Sequence, residues 1–356
     1  MALKILAINP GSTSTKLGIY EDDTPRHVQT LHHSAEELAE FKRVYEQLEF
    51  RREAILGFLT ESGMSLSDFD AFCGRGGLLK PIPGGVYAVS SAMKSHLRSA
   101  KYGEHASNLG AILADELGKK AGGKPAFIVN PVVVDEMQSL ARYSGMPENP
   151  RVSIFHALNQ KAVAQRYARS INRKYKELNL IVTHMGGGIT VGAHHHGRVI
   201  DVNNGLAGDG PFSPERSGGV PTLKLIELCY SGFFEPATMK RKAAGKGGLV
   251  AYLRTNDARE IEEKIEKGDE KAREVYQAMA YQIAKEIGGM HTVLNCQTDA
   301  IILTGGLAHS KMLTDWIDEM VNKLAEIVIY PGEDELLAMV EGTLKAIHGE
   351  TPIQTY

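Results

Sequence analysis

Short apolar runs bounded by polar residues open the chain. "KILAIN" (4–9) and "KLGIYE" (16–21) read as two strands flanking a small, hydroxyl-rich stretch. The period then lengthens. Residues 35–63 (AEELAEFKRVYEQLEFRREAILGFLTESG) and 107–122 (SNLGAILADELGKKAG) space their apolar residues as helices do. "PAFIVNPVVVD" (125–135) is apolar and β-branched, which predicts one or two buried strands. A helix is expected from Ala157 to about Lys176, followed by a strand, "NLIVTHM" (179–185).

There the pattern restarts. "LIVTHMGGGITVGAHHHGRVIDVNNG" (180–205) is again strand, tight glycine turn, strand and strand, and Gly186 lies 175 positions after Gly11, close to half the chain length. "DAIILTGGLAHSKMLTDWIDEMV" (299–321) reads as strand, Gly-Gly turn and helix. The expectation is two related halves packed against each other around a cleft.

Composition narrows the class. The 356 residues are 43% hydrophobic, enough for two ordinary domains. Net charge is −3, and bases alternate with acids in runs such as 256–276, so no basic surface for nucleic acid is indicated; that run reads as a solvated helix face. Cys73, Cys229 and Cys296 are far apart and without metal-ligand spacing, which points to a reducing compartment. The N-terminus passes directly into a strand, and no apolar run approaches the roughly 18 residues of a membrane span. A cytoplasmic protein is expected.

Three glycine-rich turns carry the candidate chemistry. "NPGSTSTK" (9–16) differs from a G-x-x-x-x-G-K-[ST] phosphate loop: Thr15 stands where glycine should precede lysine, and a strand rather than a helix follows. It is therefore read as a hairpin turn in which Ser12, Ser14, Lys16 and backbone N–H groups face an anion. In "HMGGG", His184 leads Gly186, Gly187 and Gly188, which lack a Cβ and let a ligand approach the backbone. In "LTGGLA", Gly305, Gly306 and Leu307 offer a flat surface to a ribose and base. Three such turns, each after an apolar strand, favour a nucleotide cleft. The triple histidine 194–196 is placed at a hairpin tip, where successive side chains face opposite ways, and is not read as a metal site.

These features resemble the superfamily containing acetate kinase, sugar kinases, hsp70 and actin. The blocks "INPGSTSTK", "GRGGLLKPIPGGVY", "VNPVVVDEM", "FHALNQKAVA", "THMGGGITVGAHHHGRVIDVNNGLAGDGPFSPERSGGVP" and "YPGEDELLA" resemble, within it, the butyrate kinases of the acetokinase family. The resemblance implies an α/β chain of two similar ribonuclease H-like domains (the actin-like ATPase fold) with an interdomain nucleotide cleft. The first domain would span 1–153 plus about 335–356, and the second 154–334. It implies ATP and Mg²⁺ as cofactors, a short-chain fatty acid as substrate, and a homodimer or higher homo-oligomer.

The acceptor chemistry agrees with a carboxylic acid. Sugar kinases of the superfamily begin with aspartate where this chain has Asn9, and they need a general base for an alcohol. A carboxylic acid titrating near a glutamate side chain, at about 4.3, is already an anion at neutral pH and needs none. It needs its charge neutralised instead. By the resemblance, Arg75 and Arg216 clamp carboxylate or phosphoryl oxygens, His156 donates to the transferring phosphoryl, and His184 contacts phosphate or orients a neighbour. By the resemblance, Asp135 is the expected Mg²⁺ ligand, joined by an acid of the Glu333-Asp334-Glu335 cluster, with Asp334 and Glu335 the named candidates. Acetate kinases carry Arg-Val-Val where this chain has Arg75-Gly76-Gly77, so a wider acyl pocket is expected there, with Phe155 and Phe212 as walls. The expected reaction is reversible phosphorylation of butyrate to butyryl phosphate, extending to isobutyrate. The alternatives are an acetate or propionate kinase and, from another class, a non-catalytic protein of the actin-like fold.

Overall fold

The structure is a computed structural model and describes residues 2–206 and 209–356; Ala207 and Gly208 of the "NNGLAGDG" block lie outside the described residues. The chain begins with β1 (Lys4–Pro10), β2 (Ser14–Glu21), β3 (Thr24–His32), α1 (Ala35–Ala39) and α2 (Leu48–Glu61). Next come β4 (Ala71–Gly74), β5 (Val86–Ala88), α3 (Ser91–Arg98), α4 (Asn108–Lys120) and β6 (Ala126–Val129). The middle holds α5 (Ala157–Ser170), β7 (Asn179–Met185), β8 (Ile189–His195), β9 (Arg198–Val202), α6 (Thr222–Tyr230), α7 (Pro236–Ala243) and α8 (Gly248–Leu253). It continues through α9 (Ala258–Glu266), α10 (Glu270–Val293), β10 (Ala300–Gly305), α11 (Lys311–Val321) and β11 (Glu326–Pro331). The last elements are α12 (Glu335–Ile347) and β12 (Ile353–Gln354).

The chain divides into two compact units, Met1–Val134 with Asp334–Tyr356, and Asp135–Glu333. In the first, the strand order is β12-β5-β6-β4-β1-β2-β3. β1 pairs antiparallel with β2 and parallel with β4, which pairs parallel with β6. Successive residues of β4 face opposite ways. The Cys73 thiol contacts the Met339 carbonyl of α12, whereas Gly74 abuts Gly110 of α4, so the two helices cover opposite faces of this sheet.

The second unit repeats the plan as β11-β10-β7-β8-β9, again an antiparallel meander joined to two parallel strands. Alternation partitions its core. Ile181, Ile301 and Leu303 pack with α10 and α11, while Leu180, Val182 and Ile302 pack with Val163, Ala164 and Tyr167 of α5. Side-chain caps open α9 at Asp257, α10 at Asp269 and α11 at Ser310.

Three element expectations need correction. The helical stretch 35–63 is broken: the Glu46 carboxylate accepts the backbone N–H groups of Lys42 and Arg43 and restarts the helix at Val44 with a single 3₁₀ turn. "PVVVD" is no strand. β6 stops at Val129 because Asn130 turns left-handed (φ 39°) and its side-chain oxygen accepts the N–H of Gly85, after which only Val134 bridges Ile82. The helix from Ala157 ends at Ser170, six residues early, where Asn172 (φ 57°) reverses the chain.

Candidate active site

In the first unit the β1–β2 hairpin sets Asn9 opposite Lys16 and Pro10 opposite Thr15, with the Gly11 N–H donating to the Ser14 carbonyl at 2.8 Å. Beneath this turn lies Arg51 of α2, fully buried. Its guanidinium donates to the carbonyls of Ser14 (2.8 Å) and Ser12 (3.3 Å) and to Thr15 Oγ1 (3.0 Å). Gln47 Oε1 takes two more of its N–H groups, and His33 Nε2 lies 2.9 Å from Thr15 Oγ1. Burial lowers the Arg51 pKa to about 10, and burial first, then Arg51, lowers that of His33.

Beside the hairpin, Glu335 in the first turn of α12 joins two of the expected site residues. Its Oε2 accepts Asn9 Nδ2 at 2.7 Å and its Oε1 is ion-paired with Arg75 Nη1. Arg75 follows β4, its side chain is 11% exposed, and its backbone N–H is held by the Ile8 carbonyl at 2.8 Å. Asp334 is turned elsewhere, capping α12 through the Leu337 N–H at 3.2 Å.

The glycines after Arg75 have a role other than the expected one. A Cβ on Gly76 would sit 2.5 Å from Pro131 Cβ, and one on Gly77 would sit 2.5 Å from Asn108 Cα. The volume that two valines would fill is therefore already occupied by Pro131 and the start of α4. Gly76 and Gly77 permit close packing and do not open an acyl pocket.

In the second unit, His156 forms the N-terminal boundary of α5 and His184 lies near the end of β7. Their rings stack at 3.7 Å and 10°. His184, 1% exposed, pairs through Nδ1 with Asn159 Oδ1 (2.8 Å) and through Nε2 with Glu333 Oε1 (3.4 Å). His156 Nδ1 lies 2.9 Å from Thr190 Oγ1. The Gly186 N–H donates to the Gly188 carbonyl (3.0 Å), and Ser213 Oγ donates to the Gly187 carbonyl (2.7 Å), which fixes the turn between β7 and β8.

Gly188 is glycine because Arg216 occupies the space of its missing Cβ. Arg216 in turn donates through Nη1 to the Gly205 carbonyl, and a Cβ on Gly205 would meet the Thr190 methyl and come 3.8 Å from His156 Cε1. His156, His184, Gly188 and Arg216 thus share one neighbourhood. Burial lowers the Arg216 pKa, opposed by Glu215.

The remaining candidates are placed differently. Gly305 (φ 88°) lies against the Met185 backbone and exchanges backbone hydrogen bonds with Gly332, whereas no heavy atom lies within 4 Å of a Cβ built on Gly306. The Leu307 side chain belongs to the apolar core, as does Phe212, whose ring also borders a groove of about 510 Å³ with Tyr252 and Val220; Phe155 is buried. Asp135 is clamped two-fold by Arg142, both contacts 2.7 Å, and accepts the Met137 N–H. The acids expected to hold Mg²⁺ are engaged with Arg142 (Asp135), with the cap of α12 (Asp334) and with Arg75 and Asn9 (Glu335). Among the described residues no group of three or more His, Cys, Asp or Glu is arranged to hold a metal ion. The donor set does not fit a preformed metal site.

Four residues escaped the sequence reading. Asn159 and Gln160 lie in the same "FHALNQ" block as His156, three and four positions on, where helical spacing puts them on its face; that spacing was the available signal. Arg51 lies in a charge-rich run that gives no sign of burial, and Thr190 is an ordinary strand residue by pattern.

A sequence profile described as "Acetokinase family" matches residues 151–339, more than half of the chain. This chain belongs to the acetokinase family. Among solved structures, the acetate kinase of Porphyromonas gingivalis matches at 19% identity and TM-score 0.77, covering 97% of this chain and 100% of the other. The propionate kinase of Francisella tularensis subsp. tularensis SCHU S4 matches at 17% identity and 0.72, covering 96% and 98%. The acetate kinase of Entamoeba histolytica matches at 15% identity and 0.73, with the same coverage. These likenesses establish that the acetokinase-family chain has the actin-like ATPase fold.

Proposed function

We propose that this protein transfers the γ-phosphoryl group of ATP to the carboxylate of a short-chain fatty acid, butyrate first and isobutyrate beside it, releasing ADP and an acyl phosphate. The observation that carries the reading is the Asn9–Glu335–Arg75 cluster: an arginine held in place beside a phosphate-type hairpin that presents Asn9 where an alcohol kinase carries an acid. A carboxylate oxygen attacks phosphorus, the bond to the ADP oxygen breaks, and no proton has to be removed from the acceptor. Glu335 occupies Nη1 of Arg75, and among the described residues no hydrogen bond is assigned to its other guanidinium donors, which we read as those that hold the anion. Arg216 and His156 supply positive charge and hydrogen bonding to the transferring group. Magnesium as the partner of ATP remains part of the proposal, carried by the nucleotide rather than by a ready set of acids. Run backwards, the same residues form ATP from the acyl phosphate.

Acetate or propionate as the acceptor is favoured by one observation, the filled space at Gly76 and Gly77. The test is ADP formation from ATP–Mg²⁺ with acetate, propionate, butyrate, isobutyrate and glycerol, with hydroxylamine present to trap acyl phosphate. Highest hydroxamate yield with butyrate or isobutyrate supports the proposal. Preference for acetate or propionate keeps the transfer chemistry and removes butyrate. ATP binding with no acceptor turned over would favour a non-catalytic member of the fold.

A further inference from the structure

Behind His156 runs a line of buried polar groups that phosphoryl transfer, as described above, does not use. Tyr175 OH lies 2.6 Å from His194 Nδ1, and His194 Nε2 lies 3.0 Å from Gln160 Oε1. Gln160 Nε2 reaches both the Thr190 carbonyl (3.0 Å) and Thr190 Oγ1 (2.9 Å), and Thr190 Oγ1 lies 2.9 Å from His156 Nδ1. Gln160, Thr190 and His194 are all 0% exposed. Gly192 leaves room for the line: a Cβ there would stand 2.5 Å from Gln160 Oε1 and 3.2 Å from His194 Nε2. His194 is one of the three histidines singled out in the sequence. His195 and His196 lie at the exposed tip of the β8–β9 hairpin, whereas His194 points inward.

The proton positions along this line follow from which atoms can donate. The Thr190 carbonyl only accepts, so the Gln160 atom facing it must be the nitrogen, and its other amide atom must be the oxygen. That oxygen accepts, so His194 Nε2 carries a proton. Burial, reinforced by Lys161, pushes the His194 pKa well below its usual value, and burial pushes that of Tyr175 well up. The neutral His194 ring therefore accepts at Nδ1 from the Tyr175 hydroxyl. At the other end, Gln160 Nε2 donates to Thr190 Oγ1; the threonine hydroxyl has a second lone pair as well as its proton, and a run of one sense has that proton donated to His156 Nδ1.

We propose that Tyr175, His194, Gln160 and Thr190 form a one-way hydrogen-bond chain that fixes His156 in the tautomer with its proton on Nε2, making them positioning residues for phosphoryl transfer. The proposal rests on the reading of His156 as a donor to the phosphoryl group. A histidine donor acts only through a nitrogen that carries a proton, and the partner of the opposite nitrogen decides which one does.

The test uses the full chain with ¹⁵N-labelled histidine. Long-range proton–nitrogen correlation spectra report the tautomer of each ring, and loss of a signal in His156→Gln assigns it. The wild type is expected to show His156 protonated on Nε2. Thr190→Val should move it toward the other tautomer and lower kcat roughly 10–100-fold, by analogy with the loss when a partner that orients a metal-bound histidine is removed. KM for ATP should stay within about twofold, because the defect lies in the chemical step. Thr190→Ser should restore both tautomer and rate. Tyr175→Phe, at the far end, should shift the His194 signals and lower kcat less. A wild-type His156 protonated on Nδ1 overturns the proposal, as does a Thr190→Val enzyme with unchanged tautomer and kcat. Should Thr190→Val not fold, the wild-type spectrum still decides. Undiminished kcat in His156→Ala would instead defeat the reading of His156 at the phosphoryl group and leave the tautomer result standing.

Discussion

Arg51 and Arg75 are both buried in the first unit, and opposite chemistry satisfies them. Arg75 is neutralised by Glu335, whereas the partners assigned to Arg51 are two backbone carbonyls, Thr15 and Gln47. Arg51→Met removes the donors from the carbonyls of Ser12 and Ser14, and an unfolding midpoint shift equivalent to about 2–4 kcal/mol is expected in urea. A shift below about 0.5 kcal/mol would mean those carbonyls find other partners. Arg75→Lys keeps the charge and loses the planar fork. Its kcat is expected to fall about 100-fold, with the folded fraction unchanged by circular dichroism. Full activity in that variant would remove Arg75 from the site. Sequence pattern treated these two arginines unequally. Arg75 was legible because glycines flank it in a quotable motif, while Arg51 sits among charges that usually face water.

The hairpin β1–β2, the meander of β7, β8 and β9, and helices α4 and α11 were legible because alternation and helical spacing hold within each of them. Their interruptions were not. The break before Val44 depends on Glu46 capping the N–H groups three and four positions before it, and the stop at Asn130 depends on a side chain meeting Gly85 across the sheet. The first is a local cap that leaves the helical spacing of the apolar residues unchanged, and the second is a tertiary contact without a local period. The junction of β4 with α4 makes the same point about the acyl pocket. A valine at Gly77 collides with Asn108 backbone, so Gly77→Val should destabilise the first unit by about 2 kcal/mol or more and lower its thermal midpoint. It should not change the ratio of butyrate to acetate turnover in the folded enzyme. A stable variant with a narrowed acid preference would restore the pocket reading.

Across the whole molecule, buried histidines give stability a pH dependence of definite sign. His33, His105 and His194 all have pKa values lowered, in each case chiefly by burial. Their unfolded counterparts therefore take up protons first as pH falls below about 6.5, and each favours unfolding by about 1.4 kcal/mol per pH unit while the folded group stays neutral. Asp201 and Glu286, raised by burial, act in the opposite sense and recover some stability as they protonate. Histidines ordinarily titrate near 6.5 and carboxyls about two units lower, so over this range the histidines lead and the thermal midpoint should be lower at pH 5.5 than at pH 7.5. An equal or higher midpoint at pH 5.5 would show that the carboxyls prevail. The division of the chain has a further consequence, in the order of its synthesis. The strands β1 to β6 are made early, but α12, which covers one face of their sheet, is made only after all of Asp135–Glu333. At about 5–20 residues per second, that face stays uncovered for about 10–40 s on the ribosome. The newborn chain therefore passes through a period of exposed apolar surface that the finished protein never shows, and chaperone demand should peak there.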